Sequence, residues 1–348
     1  MAQDNICRYT SPSNIALIKY WGKYGRQYPR NASISLTLDS AYSDTSVEYS
    51  ERAKAGDAVS ISFYFEGQAN PAFQQKIEKY LNSILDDLSF LKTHELIIRS
   101  SNSFPHSAGI ASSASAMSAL AMCLCAIENK IGTPFASQEA LLKKASHLSR
   151  LGSGSASRSV YPIAAVWGEH PNIAEASNDY AIPYAQQLHE VFSTYQNDIL
   201  IISRKEKKVS STQGHALMEQ NVYAASRYAQ AEERMTRLLA AMQAGDLDTF
   251  GKIVEGEALS LHAMMMAAAD PFILLHGNTL EAISRIQQYR QETNVPLYFS
   301  LDAGPNPHLL YPEQYSSPVK AFIHSELKGL CHEGMVIEDK VGQGPRLL

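Results

Sequence analysis

The sequence predicts an α+β fold built in two halves. In the first half, segments 45–51 and 59–67 alternate apolar and polar residues, which is typical of half-buried strands. Segment 112–129 instead repeats apolar residues at helical spacing. A polar, irregular stretch at 174–187 separates these elements from a second set of strands and helices. Because strands and helices do not alternate strictly, we expect α+β halves.

The remaining elements are predicted from the same two periodicities. In the first half they are a strand from His94, a helix at 137–148 and a strand at 159–168. In the second half they are strands at 197–204, 295–301, 308–312 and 335–339 and helices at 216–242, 246–268, 278–292 and 317–329. We therefore expect two domains, residues 1–185 and 186–348.

Composition limits the classes of function. The 348 residues carry a net charge of −5 and an isoelectric point near 6.1, which argues against bulk nucleic-acid binding. We see no apolar run that approaches the span of a bilayer, and MAQDNICRYT lacks the apolar core of a signal peptide. The four cysteines form no metal-binding pattern. We expect a cytoplasmic protein that binds neither nucleic acid nor membrane.

The most informative stretch is SPSNIALIKYWGK at 11–23, which sets two lysines around a Tyr-Trp pair. It lies in a zone without carboxylates between Asp4 and Asp39. The zone holds five basic residues, Arg8, Lys19, Lys23, Arg26 and Arg30. In a chain of negative net charge, this zone indicates a site for an anion.

A second stretch, PHSAGIASSASAMSAL at 105–120, runs from a small-residue loop straight into a helix. Unsatisfied N–H groups and the helix dipole favour phosphate at such a start, where Ser112 and Ser113 add hydroxyls. The alternative is an ordinary serine N-cap, which composition alone favours.

LGSGSASRS at 151–159 imitates a dinucleotide fingerprint, but Ser157 stands where the third glycine belongs and a strand is predicted next. The segment is either a flexible loop or an anion clamp around Arg158, whose guanidinium suits carboxylate or phosphate.

Two further stretches carry candidate polar groups. Asp302 ends an apolar strand in SLDAGPNPHLLY, where a carboxylate is either a turn cap or a catalytic group. Ser211 and Thr212 in KKVSSTQGH precede a predicted helix, as an N-cap or a further anion site. We assign no role to His106 or His308.

Together these motifs resemble the diphosphomevalonate decarboxylase family, in the superfamily of galactokinase, homoserine kinase, mevalonate kinase and phosphomevalonate kinase. The resemblance spans most of the chain, and IKYWGK, GSGSASRS and DAGPN point to the decarboxylase branch. It implies a two-lobed fold of this superfamily, with an N-terminal lobe like domain 2 of ribosomal protein S5, a ferredoxin-like C-terminal lobe and an active-site cleft between them. It also implies a homodimer.

The resemblance implies an ATP- and Mg2+-dependent reaction that converts mevalonate 5-diphosphate to isopentenyl diphosphate, ADP, phosphate and CO2. Asp302 would face the 3-hydroxyl, Lys19 would lie beside Asp302, and Arg158 would hold the substrate carboxylate with Ser155. The rest of the substrate pocket would comprise Asn14, Tyr20, Lys23, Ser153, Ser211 and Thr212. The ATP phosphates would bind Pro105, Ser107, Ala108, Gly109, Ala111, Ser112 and Ser113, the last two near magnesium.

The chain departs from the family pattern at a few positions. His106-Ser107 replaces a common Thr-Ala pair, and Arg30-Asn31-Ala32 replaces a more apolar, serine-rich version. Gln213-Gly214-His215, at the diphosphate end of the pocket, differs from the usual Gly-Met ending.

Three alternatives remain open at this level. The first two are a phosphomevalonate decarboxylase and a mevalonate-type 3-kinase of the same superfamily. The third is a nucleotide-binding regulatory protein that kept the fold. The retention of Lys19, Asp302 and Arg158 favours decarboxylation over the 3-kinase. Lys23 with Ser211 and Thr212 favours a diphosphate over a monophosphate substrate, and the retention of Asp302 and Lys19 argues against a non-catalytic protein.

Overall fold

The computed structural model describes residues 5–105, 110–205 and 211–348, and gives only the backbone of 211–213. It confirms the α+β fold. The larger sheet contains β1 (Ile6–Ala16), β4 (Ser33–Glu51), β5 (Ser60–Phe65), β6 (Gln68–Ala69), β7 (His94–Asn102), β8 (Ala164–Trp167), β9 (Ala181–Pro183) and β14 (Arg346–Leu347). The smaller sheet contains β10 (Gln196–Leu200), β11 (Tyr298–Ser300), β12 (His308–Tyr311) and β13 (Val336–Ile337). A short hairpin joins β2 (Lys23–Tyr24) to β3 (Tyr28–Pro29).

The predicted helices form with shifted ends, whereas the helices at Pro71–Asn82 and Ser211–Ala216 were not predicted. In the first half they are α1 (Pro71–Asn82), α2 (Ser112–Ile131) and α3 (Gln138–Gly152). In the second half they are α4 (Ser211–Ala216), α5 (Ala224–Ala244), α6 (Leu247–Met266), α7 (Gly277–Thr293) and α8 (Ser316–Phe322).

The long antiparallel pair of β1 and β4 carries the first part of the site. Their register shifts between Pro12 and Asn14, because proline cannot donate to a ladder and such irregularities bend the strand. Beyond the shift Asn14 pairs with Thr37, and its side chain is buried. The end of β1 is thereby turned so that the following loop delivers Lys19.

Helix α2 forms the centre of the first core. All five apolar residues that predict it are buried, namely Met117, Leu120, Ala121, Leu124 and Ile127. Contrary to our expectation, this 20-residue helix is long and apolar enough to cross a membrane, by length and composition alone. Within the described chain, however, 67% of its apolar window is buried against other elements, which is the pattern of a core helix.

Two predicted elements were wrong in detail. The strand predicted at 159–168 begins only at Ala164, because Gly154–Val160 forms a 3-10 helix that buries Arg158. The predicted helix at 317–329 is α-helical only to Phe322 and then widens into a π-turn at Ile323–Leu327. Both changes are made by tertiary packing, which local periodicity does not report.

The C-terminal segment returns to the first half of the chain. Strand β14 pairs with β1 through Tyr9 and Leu347. Just before it, the buried Asp339 carboxylate accepts hydrogen bonds from the backbone N–H groups of Asp39, Ser40 and Ala41 at 2.7–2.9 Å. This carboxylate therefore ties the second half to β4. The domain division at residues 185 and 186 stays a prediction.

We predict that Asp339→Ala lowers the free energy of unfolding by about 2–5 kcal/mol, because several partly buried N–H groups lose their acceptor at once. Urea denaturation measures the change. The control is Asp86→Ala, whose carboxylate is 98% exposed and should shift stability by no more than about 0.5 kcal/mol. Equal effects of the two variants would contradict the role given to Asp339.

Candidate active site

A cavity of about 880 Å³ opens between the two halves and is lined by residues from the sequence motifs. The predicted site residues that line it are Asn14, Lys19, Tyr20, Lys23, Ala111, Ser112, Ser113, Ser153, Ser155, Arg158 and Asp302. Pro105 is described but does not line this cavity. Ser107, Ala108 and Gly109 lie outside the described residues, as do the side chains of Ser211 and Thr212, whose backbone begins α4.

The centre of the cavity contains an ion pair between the two halves. Lys19 Nζ donates to Asp302 Oδ1 at 3.0 Å, with the lysine side chain 2% exposed and the carboxylate 22% exposed. Burial lowers the pKa of Lys19, while Asp302 and Glu257 act to raise it. The lysine is thus enclosed, and the carboxylate keeps a face toward the cavity.

Helix α6 holds both members of this pair through their backbones. The fully buried Glu257 accepts the backbone N–H of Lys19 at 2.9 Å. The same carboxylate accepts from Arg227 at 3.0 Å and from Arg234 at 2.9 Å. One turn later, His262 Nε2 lies 3.0 Å from the carbonyl oxygen of Asp302, which can only accept, so this nitrogen carries the proton.

Arg158 lies beside this pair and is 1% exposed. Its guanidinium donates to the hydroxyls of Ser35 at 3.0 Å and Ser33 at 2.6 Å, and to Asn14 Oδ1 at 3.4 Å. Burial lowers the pKa of Arg158 to about 10. Within the described residues no carboxylate forms an ion pair with it, so its charge remains for an anionic ligand.

The start of α2 forms another wall. Ala111 adopts a left-handed backbone conformation with φ of 45°, and the helix begins at the next residue. Ser113 and Ser153 hydroxyls lie 3.2 Å apart, which joins this helix start to the glycine-serine loop. Gly154 packs so closely on Tyr20 that a Cβ would lie 2.6 Å from the phenol oxygen. The wall is therefore built of backbone and small hydroxyl groups.

An apolar arm extends the cavity beyond this wall. It is lined mainly by aromatic and aliphatic side chains of β5, α1 and β7, namely Phe63, Phe65, Phe73, Ile77, Tyr80 and Ile98. Such a surface suits the faces of a planar ring.

Lys23 lines the cavity from the β2–β3 hairpin, and its Nζ donates to Gln27 Oε1 at 2.7 Å. Partial burial lowers the pKa of this lysine. Buried Arg150 packs over the ring of Tyr28 at 4.7 Å and thereby holds the hairpin. The Lys23 cation is thus kept at the cavity without a described carboxylate against it.

Sequence reasoning missed the groups that support the site. Glu257 could have been noticed as a carboxylate inside an apolar helical repeat, and Ser33 and Ser35 as hydroxyls on one face of a strand. Neither pattern indicates which residue is the hydrogen-bond partner, since the contacts join residues more than 100 positions apart.

Comparisons with known proteins address the same segments. The sequence profile of the diphosphomevalonate decarboxylase-like N-terminal domain matches residues 11–178. The profile of the mevalonate 5-diphosphate decarboxylase C-terminal domain matches residues 198–341. The chain belongs to the diphosphomevalonate decarboxylase family.

Individual members of this family cover nearly the whole chain. The diphosphomevalonate decarboxylase of Eremothecium gossypii is 29% identical over 335 residues, covering 91% of this chain and 80% of that protein. The crystal structure of mevalonate diphosphate decarboxylase from Staphylococcus aureus matches with a TM-score of 0.83 and 27% identity, covering 99% and 98% of the two chains. MDDEF, solved in complex with MVAPP, AMPPCP and magnesium, matches with a TM-score of 0.81 and 28% identity, covering 99% of this chain and 98% of that chain.

We predict that Glu257→Gln lowers the free energy of unfolding by about 3–5 kcal/mol, because Arg227 loses its charged partner inside the protein. Chemical denaturation measures the loss. Glu233→Gln serves as the matched control, since its ion pair with Arg237 is 59% exposed on both sides and contributes at most about 1 kcal/mol. A Glu257 variant as stable as this control would show that the buried network does not stabilise the fold.

Proposed function

We propose that the chain catalyses the ATP-dependent decarboxylation of mevalonate 5-diphosphate to isopentenyl diphosphate, with release of ADP, phosphate and CO2. One observation carries the proposal: the Lys19–Asp302 pair and the buried Arg158 cation share one cavity. A base-like carboxylate and a carboxylate-binding cation are the two groups that this reaction requires. The similarity to MDDEF, which was solved with MVAPP and AMPPCP, supports both substrates.

At the reacting centre, Asp302 accepts a hydrogen bond from the 3-hydroxyl of the substrate and orients it or takes its proton. Lys19 keeps this carboxylate ionised and stabilises the charge on the transferring phosphoryl group. The 3.0 Å contact and the different exposure of the two side chains support these roles.

Arg158 holds the substrate carboxylate, with Ser155 beside it. Loss of the 3-phosphate develops positive charge at the adjacent carbon, and the carboxylate then leaves as CO2. A planar guanidinium fixed by Ser33 and Ser35 can orient the carboxylate for this cleavage without moving. The remaining pocket residues, chiefly for the diphosphate, are Asn14, Tyr20, Lys23, Ser153, Ser211 and Thr212.

ATP binds across the start of α2, with its adenine in the apolar arm. The phosphates bind the segment of Pro105, Ser107, Ala108, Gly109, Ala111, Ser112 and Ser113. The hydroxyl-lined wall and the absence of acidic residues between Glu95 and Glu128 support this arrangement. Ser112 and Ser113 would lie beside Mg2+, which the ATP phosphates would also coordinate. The ion neutralises phosphate charge when bound.

We further propose a homodimer in the cytoplasm. The four cysteines are free thiols, which fits a reducing compartment. The dimer is carried over from the family resemblance, and light scattering of the purified chain measures it.

The test of the function is incubation with ATP and mevalonate 5-diphosphate, followed for ADP and CO2. Production of both in equal amounts supports the proposal. ADP without CO2 would identify a 3-kinase, and neither product would identify a binding protein. Preference for mevalonate 5-phosphate would identify a phosphomevalonate decarboxylase.

We predict that Asp302→Asn lowers kcat by about 10²–10³-fold, because the amide cannot accept the proton and no longer carries the charge that Lys19 faces. ATP binding, measured by calorimetry, should persist. Asp86→Asn controls for the substitution at an exposed carboxylate. Near-normal turnover of the Asp302 variant would remove this residue from the mechanism.

The two lysines of the first motif should differ in their kinetic effects. Lys23→Ala should raise KM for the diphosphate substrate by about tenfold with little change in kcat, since its charge binds ground state and transition state alike. Lys19→Ala should mainly lower kcat. Lys252→Ala, at a side chain that is 73% exposed, is the control. The assignment fails if both lysine variants change the same kinetic constant.

A further inference from the structure

His215 is 6% exposed and lies near the end of α4. Its Nδ1 accepts the backbone N–H of Gly22 at 2.9 Å. The rings of Tyr20 and Trp21 pack against the imidazole with centroids 4.4 and 4.5 Å away. These contacts fix the ring against residues 20–22, which lie between Lys19 and Lys23.

The neighbouring glycine makes this approach possible. A Cβ on Gly214 would lie 2.4 Å from the indole of Trp21, far inside contact distance. The α4 backbone therefore rests directly on this ring, and the imidazole reaches Gly22. Position and orientation of His215 are set by packing on the first half of the chain.

The hydrogen bond with Gly22 decides the tautomer. Because Nδ1 accepts, Nε2 carries the proton of the neutral ring and is a donor. Burial, together with the charge of Lys23, lowers the pKa of His215 to about 3. The ring is therefore a neutral N–H donor at physiological pH.

The Nε2 edge of the imidazole faces the two cavities near Lys23. His215 lines the main cavity and also a smaller one of about 270 Å³, and Lys23 lines both. Since Nδ1 is bonded to Gly22 and the ring faces pack on aromatic rings, the Nε2 edge is the part left toward these cavities. In the part of the chain that the structure describes, Nε2 has no protein acceptor.

We propose that His215 is a specificity-determining residue whose Nε2–H donates a hydrogen bond to the terminal phosphoryl group of the diphosphate substrate. This inference rests on the proposed function. Lys23 supplies charge that attracts any phosphate, whereas a fixed neutral donor contributes only when an oxygen occupies one position. A monophosphate leaves that position empty, so the donor favours the diphosphate.

Two substitutions separate the two edges of the ring. In His215→Asn the amide oxygen can accept from Gly22 as Nδ1 does, but the distal donor is lost. In His215→Gln the amide nitrogen can take the place of Nε2. Calorimetry without nucleotide measures the binding of mevalonate 5-diphosphate and mevalonate 5-phosphate to each full-length variant.

We expect His215→Asn to weaken diphosphate binding by about 10–100-fold, the range for a hydrogen bond to a charged group, and monophosphate binding by less than about twofold. His215→Gln should stay within about threefold of the parent for both ligands. The proposal is overturned if the Asn variant binds the diphosphate like the parent, if both ligands weaken equally, or if Gln does not restore binding.

A measurement on the parent protein covers the case in which the Asn variant does not fold. Nitrogen-15 NMR of labelled histidine should show His215 protonated at Nε2, and loss of the signal in His215→Gln assigns it. This signal should shift when the diphosphate is added but not when the monophosphate is added. A ring protonated at Nδ1, or no shift, refutes the proposal. The ADP and CO2 assay on the parent tests the proposed function separately, so a productive parent with an inert His215 rejects this inference alone.

Discussion

The site depends on a single ion pair, between a lysine delivered by the first half of the chain and a carboxylate delivered by the second. Lys19 is buried, so its charge is tolerated only because Asp302 lies 3.0 Å away and Glu257 is near. Helix α6 binds the backbone of both residues, through Glu257 and His262. The chemistry therefore requires that one helix keep its position against both halves.

The cations of the cavity are held by neutral groups, which is costly for folding and useful for binding. Arg158 donates to Ser33, Ser35 and Asn14 instead of to a carboxylate. Neutral oxygens satisfy the geometry of the guanidinium but do not cancel its charge. Lys23 likewise donates to a neutral group, the amide oxygen of Gln27. An anionic substrate then supplies negative charge, so part of the cost of burying these cations is offset on binding.

The sequence predicted which segments meet through the family resemblance of its motifs, because each motif taken alone also fits an ordinary cap, turn or loop. It predicted the α+β class and the buried face of α2, because both follow from the local periodicity of apolar residues. It could not predict the 3-10 turn that buries Arg158, because the partners of that turn are serines of β4. Nor could it predict Glu257, whose partner Lys19 is 238 residues away. Polar contacts between residues far apart in the chain produce no periodic pattern in the sequence.

The contacts that cross between the halves also explain how backbone N–H groups are buried around the cavity. Asp339 binds β4 behind the site, Glu257 binds the Lys19 loop at its centre, and His215 binds Gly22 near Lys23. Each contact satisfies backbone N–H groups of the first half with an acceptor from the second. These N–H groups are satisfied by fixed protein acceptors and need no water. Lys19 and Arg158 are thus buried in surroundings less polarisable than bulk water, which strengthens their interactions with a phosphate or carboxylate.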